Sequence, residues 1–269
     1  MVVGVPAIRL RSGLELDFSD QGREGNRAVV LIPGPTDSWR SYEPVLSSMP
    51  DHLRVVAVSL RGHGDSSKPP ANYRVEDLAS DVVAFLDGLA IERAVLVGHS
   101  GSCLVARRVA LDVPDRVVGL FLEASPLTLR DDDNLRRFVD AVVSTLTSPI
   151  DRDFARSFVA DTSSESLDPV MVERLVDDLV KVPAHAWHEM FSSLLDYDDT
   201  TELTRLGAPV KLVWGDDDVL VSRQMQEQLV QLLPGAELTV YAGVGHTPRW
   251  EEPARFAREL TEFGSMLLR

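Results

Sequence analysis

A chain of 269 residues with 44% hydrophobic and 26% charged side chains has the composition of one large globular domain, or of one domain carrying an insertion. Its 42 acidic residues against 27 basic ones leave a formal charge of −15, which argues against a nucleic-acid partner and against docking on anionic membranes. The single cysteine, Cys103, excludes an intrachain disulfide, and without a signal-peptide pattern or a membrane-length apolar run the expected location is cytoplasmic.

Short β-rich runs then alternate with helical patterns. Residues Ile8 to Phe18 alternate apolar and polar, which predicts an edge strand or hairpin. Arg27 to Ile32 reads as a buried strand stopped by Pro33-Gly34-Pro35, and Leu53 to Leu60 as another stopped by Arg61-Gly62-His63-Gly64. Apolar residues at helical spacing predict a helix over Val75 to Leu89. A strand over Ala94 to Gly98, a helix over Leu104 to Leu111 and a strand over Val117 to Glu123 follow. Between Pro126 and Leu206 the alternation breaks: helical patterns at Leu135 to Leu146, Val170 to Val180 and Ala184 to Leu195 have no strand between them. Beyond it lie a strand (Val210 to Trp214), a helix (Arg223 to Leu233), a strand (Leu238 to Tyr241) and a last helix from Pro253. Such alternation implies an α/β domain with a mostly parallel sheet covered by helices on both faces, and a helical insertion.

Chemistry concentrates where strands end. Gly98-His99-Ser100-Gly101-Ser102 joins a strand to a helix through small residues, the layout of a nucleophile elbow that lifts a serine hydroxyl clear of the sheet. Serine needs an adjacent base, and the base an orienting carboxylate. His246 follows the strand ending at Tyr241 in a loop of small residues, and Asp216, Asp217 and Asp218 follow the strand ending at Trp214. Serine, aspartate and histidine thus fall in one chain order at the carboxyl ends of parallel strands, where sites collect in such sheets. This acidic run and Asp131-Asp132-Asp133 are too short to be disordered tails, and the run at 216–218 has no further ligands at metal spacing, so no metal or cofactor is expected. Cys103 reads as a small buried thiol.

Taken with Arg61-Gly62-His63-Gly64-Asp65-Ser66, Trp214-Gly215-Asp216-Asp217-Asp218 and Gly245-His246, the elbow resembles the α/β-hydrolase fold superfamily, in its capped, serine-nucleophile branch. The resemblance covers nearly the whole chain. It implies an eight-stranded, mostly parallel sheet in a core of residues 1–125 and 207–269, with a cap of residues 126–206 over the catalytic face. It also implies Ser100 as nucleophile, His246 as base and Asp218 as the carboxylate, with Asp216 as runner-up and loop hydrogen bonding as its alternative role. Related dehalogenases and epoxide hydrolases carry aspartate at the position of Ser100, which argues against those activities.

The oxyanion hole is where the chain departs from its relatives. One donor is the amide after the nucleophile, here Gly101; the other comes from a His-Gly-x loop, which here reads Pro33-Gly34-Pro35. Pro35 has no N–H, so the amide or hydroxyl of Thr36 is the expected substitute. Trp39, His99, Trp187 and Phe191 are candidate pocket residues, although Trp187 and Phe191, four apart on one helix, would equally suit plain packing. His63 reads as a turn-stabilising residue. The partner expected is a small-molecule substrate; a homodimer is left open. Three readings follow: a serine hydrolase of a small ester or lactone, a C–C bond hydrolase of diketone-type substrates, and a weakly catalytic ligand-binding or signalling protein, the last motivated by Pro35.

Overall fold

The computed structural model describes residues 6–130, 132–162, 167–233 and 235–268. Asp131 of the first acidic run therefore lies outside the described residues, as do the first five residues of the expected core and 163–166 of the insertion. Eight strands form one sheet: β1 (Ala7–Arg9), β2 (Glu15–Gln21), β3 (Arg27–Ile32), β4 (Val55–Val58), β5 (Arg93–His99), β6 (Val117–Glu123), β7 (Val210–Gly215) and β8 (Glu237–Tyr241). Their spatial order is β1-β2-β4-β3-β5-β6-β7-β8. β1 and β2 make an antiparallel hairpin, β2 lies antiparallel to β4, and every pair beyond is parallel.

From β4 to β7 both faces of the sheet are buried, which is why these strands read as near-continuous apolar runs, whereas the edge strand β8 is only partly buried. On β3, Ala28, Val30 and Ile32 join one apolar cluster while Val29 and Leu31 join the other. The first cluster takes α2 (Val75–Gly88), α3 (Ser102–Asp112) and α8 (Arg223–Leu232). The second takes α1 (Glu43–Leu46) and α10 (Pro253–Leu267), whose Phe256 and Phe263 pack edge-on against Phe121 of β6. A four-residue helix, α9 (Pro248–Glu251), precedes α10.

Between β6 and β7 run α4 (Asp133–Ala141), α5 (Arg152–Ala160), α6 (Pro169–Leu179) and α7 (Ala184–Asp196). The sequence pattern missed α5, although Asp151 caps it by accepting the amides of Asp153 and Phe154 at 3.0 and 2.9 Å. The helix expected to reach Leu146 stops at Ala141. The β-branched pair Val142-Val143 leads into a single 3₁₀ turn in which Ser144 and Thr145 turn their hydroxyls back onto carbonyls of the chain.

Polar seams fasten these helices to the sheet domain. Glu189 of α7 accepts the amides of Asn72 and Tyr73, both at 2.9 Å, Lys181 pairs with Asp65, and Arg174 pairs with Glu43. The most buried link is Arg107 of α3, wholly enclosed. It pairs with Asp199, which is equally enclosed, and donates to the carbonyls of Pro126 and Leu127 at 2.9 and 3.0 Å. Asp199→Ala strands that guanidinium in the core and is expected to cost about 3–5 kcal/mol. Replacing both partners (Arg107→Met with Asp199→Leu) is expected to cost much less, and urea unfolding midpoints measure the difference.

Candidate active site

β5 runs down the middle of the sheet, and its end supports a tight strand-to-helix turn. Ser100 has φ +53°, a left-handed conformation that L-residues avoid, and its amide donates to the Glu123 carbonyl at the end of β6 at 2.9 Å. Gly98 is required here: a Cβ would lie 2.9 Å from the Cα of Cys103, where α3 folds back on the strand. Ser102 is buried in the first turn of α3. Cys103 is buried as expected, and burial pushes its thiol up to about 12.

The loops after β7 and β8 meet beside this turn. His246 Nδ1 donates to Asp218 Oδ2 at 2.8 Å, and the other oxygen of Asp218 accepts the amides of Leu220 and Val221 at 2.8 and 3.0 Å. Asp218 is thereby fixed at both oxygens. Asp216 accepts the Gly243 amide at 2.6 Å, so its role is loop hydrogen bonding. The backbone of His246 is held as well: its amide donates to Thr162 and its carbonyl accepts Nε2–H of His99. Since a carbonyl only accepts, His99 carries its proton on Nε2. Burial holds His99 well below the usual histidine range, so it stays neutral. Its Nδ1 sits against Gly34, where any side chain would approach within 2.3 Å.

Ser100, Gly101 and His246 face a cavity of about 330 Å³. Its upper walls come from the inserted helices, with Leu135 and Phe138 of α4, Phe158 of α5, and Phe191 and Leu194 of α7. Of the four pocket residues expected from sequence, His99 and Phe191 line it. Trp187 and Trp39 do not, which corrects that expectation. Trp187 is fully buried behind Phe191, stacked on it at 5.3 Å, and Phe158 and Phe154 pack round it. Trp39 lies on the far side of its loop, its amide tied to Ser59 Oγ and its ring under the Arg40 guanidinium.

A second correction concerns Thr36. Its backbone is left-handed (φ +80°) and its amide donates to His63 Nε2 at 3.1 Å, so that N–H is not directed at Ser100. Its hydroxyl is buried with no partner among the described residues, and Thr36 is absent from the cavity wall. His63 does more than brace its turn: Nδ1–H donates to the Arg61 carbonyl, leaving Nε2 free to accept from Thr36. Pro35 itself packs against Gly101, where a Cβ on Gly101 would meet its Cγ at 2.8 Å. Among the described residues, the Gly101 amide has no backbone acceptor.

Sequence reasoning stopped one residue short of Asp37, which also lines the cavity. Arg249 reaches it at 2.6 Å and Glu123 at 3.3 Å, with Glu123 and the arginine side chain fully buried. Burial pushes the Asp37 carboxyl up to about 6 despite the pull of Arg249. The residues forming this network are far apart in the chain and carry no motif; only the arginine so close behind His246 hints at it. Among the described residues no cluster of His, Cys, Asp or Glu could hold a metal, and no helix is long and apolar enough to cross a membrane.

The pattern of the alpha/beta hydrolase family matches residues 29–259. The chain belongs to that family. It is similar to an uncharacterized protein of Mycobacterium tuberculosis, at 29% identity over 85% of this chain and 72% of the relative. It is also similar to the 3-oxoadipate enol-lactonase 2 of Acinetobacter baylyi, at 24% identity over 90% of each chain. The fold superimposes on an Exiguobacterium antarcticum esterase with a TM-score of 0.86 at 18% identity, covering 97% of this chain and 100% of the esterase.

The His63–Thr36 bond carries a pH dependence. Burial lowers the imidazole to about 4, against about 6.5 in an unfolded chain. Between those values the unfolded state binds the extra proton, so stability falls as pH drops from about 6.5 to 4, by up to about 3 kcal/mol from this residue. Asp37, raised to about 6, acts in the opposite sense over an overlapping window. His63→Gln is therefore expected to flatten or invert the acid limb of the Tm–pH curve relative to wild type.

Proposed function

We propose that this protein is a serine hydrolase of a small-molecule ester or lactone, working through Ser100, His246 and Asp218 and an acyl-enzyme. The observation that carries this reading is that a serine on a left-handed strand-to-helix turn and a histidine bonded to a fixed carboxylate line the same cavity. His246 Nε2 takes the hydroxyl proton as Ser100 Oγ attacks the substrate carbonyl carbon. Asp218 holds the Nδ1–H tautomer and stabilises the imidazolium that forms. Collapse of the tetrahedral intermediate breaks the C–O bond, and the leaving alkoxide takes the proton from His246. Water, deprotonated by the same imidazole, attacks the acyl carbon; the bond to Oγ then breaks, Ser100 Oγ takes the proton back from His246, and the acid leaves. Residues 126–206 serve as a cap that shapes the pocket.

The Gly101 amide is the main-chain donor left for the oxyanion, because Pro35 has none and the Thr36 amide faces His63. One donor is typically worth about 10²–10³ in turnover, so slow hydrolysis is expected on simple esters. The same observation favours a second reading, a ligand-binding protein with feeble turnover. Tight binding that survives Ser100→Ala, with negligible turnover by wild type, would select it.

A fluorophosphonate probe is expected to label Ser100 in the folded protein and to leave Ser100→Ala unlabelled; folded wild type that stays unlabelled refutes the proposal. Asp218→Asn is expected to lower kcat by about 10⁴ through loss of the correct tautomer. Pro35→Ala, which returns an N–H to the loop, is expected to raise kcat on simple esters about tenfold or more, read by steady-state kinetics.

A further inference from the structure

The cavity has a chemical sign as well as a shape. Among the described residues, no lysine or arginine lines it. Its cationisable groups are His99, which burial keeps neutral, and His246. It is lined by three carboxylates instead. Asp37 is answered by Arg249 behind the wall, whereas Asp132 and Asp161 have no ion-pair partner among the described residues. Asp132 is half-buried and caps α4 by accepting the Leu135 amide, while Asp161 is exposed at the end of α5. Both therefore stand where the cavity wall meets solvent, on the inserted helices. Val219 and Leu220, 82% and 50% exposed, reach solvent from the loop after β7.

We infer that this site accepts substrates whose acyl or alcohol groups are uncharged and apolar and excludes carboxylate-bearing ones, with Asp132 and Asp161 as specificity-determining residues at the entrance. The inference rests on the serine-hydrolase reading above. An apolar group entering the cavity exchanges water for the phenyl rings of Phe138, Phe158 and Phe191. A carboxylate on the same path passes two like charges and then loses its hydration with no counter-charge to meet it. The formal charge of −15 on the whole chain adds a repulsive field at longer range.

The test uses two fluorophosphonates of equal chain length, one ending in a methyl group and one in a carboxylate, and reads the second-order rate of Ser100 labelling. Both react by the same step: Oγ displaces fluoride at phosphorus, His246 takes the hydroxyl proton, and fluoride leaves. The methyl probe is expected to label wild type about 100-fold faster or more. In the double variant Asp132→Asn with Asp161→Lys, the ratio is expected to fall about tenfold. Asparagine retains a side-chain oxygen to cap α4, and position 161 is exposed, so the variant keeps its fold; circular dichroism checks this. Equal labelling of wild type by the two probes overturns the inference. A ratio unchanged in the folded variant overturns the assignment to these two carboxylates. Failure of both probes to label wild type overturns the serine-hydrolase reading itself, a result distinct from the other two.

Discussion

A serine held at φ +53° costs roughly 1–2 kcal/mol relative to ordinary backbone, and it persists because its surroundings leave no alternative. On one side β5 is paired along its length with β3 and β6, so its end cannot drift. On the other, α3 folds back so closely that its chain touches the place a side chain on Gly98 would need. The amide of Ser100 is tied to Glu123, the last residue of the neighbouring strand. Sheet and helix together thus hold one hydroxyl at a fixed point above the carboxyl edge.

The loops around that point are locked by buried polar contacts rather than by apolar packing. Arg249 joins the loop after β3, through Asp37, to the end of β6, through Glu123. His63 fixes Thr36 from beneath, and His99 bridges the Pro-Gly-Pro loop and the backbone of His246. A buried network of this kind is rigid when every member has its partner and costly when one is removed. At position 35 the backbone is pinned from two sides, by the bond of Thr36 to His63 and by the contact of Pro35 with Gly101.

The sheet was legible from sequence because parallel strands buried on both faces write themselves as apolar runs, and β3 and β6 fall where those runs lie. That an aspartate and His246 follow β7 and β8 was legible from the order of the strands, whereas the choice of Asp218 over Asp216 came from the family resemblance. What could not be read were facts about direction. Trp187 and Phe191 share a helix face, yet one lines the cavity and the other stacks behind it, a difference fixed by Phe154 and Phe158 on another helix. The Thr36 amide was expected to face the serine; its partner, His63, lies 27 residues on, in a turn with no sequence sign of its reach. Helix α5 went unread although it is as long as α4, and only two of its residues, Ala155 and Val159, are buried.

Arg107 binds the carbonyls of Pro126 and Leu127 and the side chain of Asp199, so a single guanidinium gathers the chain where it leaves the sheet domain and where it comes back. The two ends of the excursion are therefore neighbours in space. An excursion that begins and ends at one place can lengthen, shorten or be exchanged without moving β6 or β7, because closing a longer loop adds little entropy cost. The inserted segment is thus attached so that it can change while the strands on either side of it stay still.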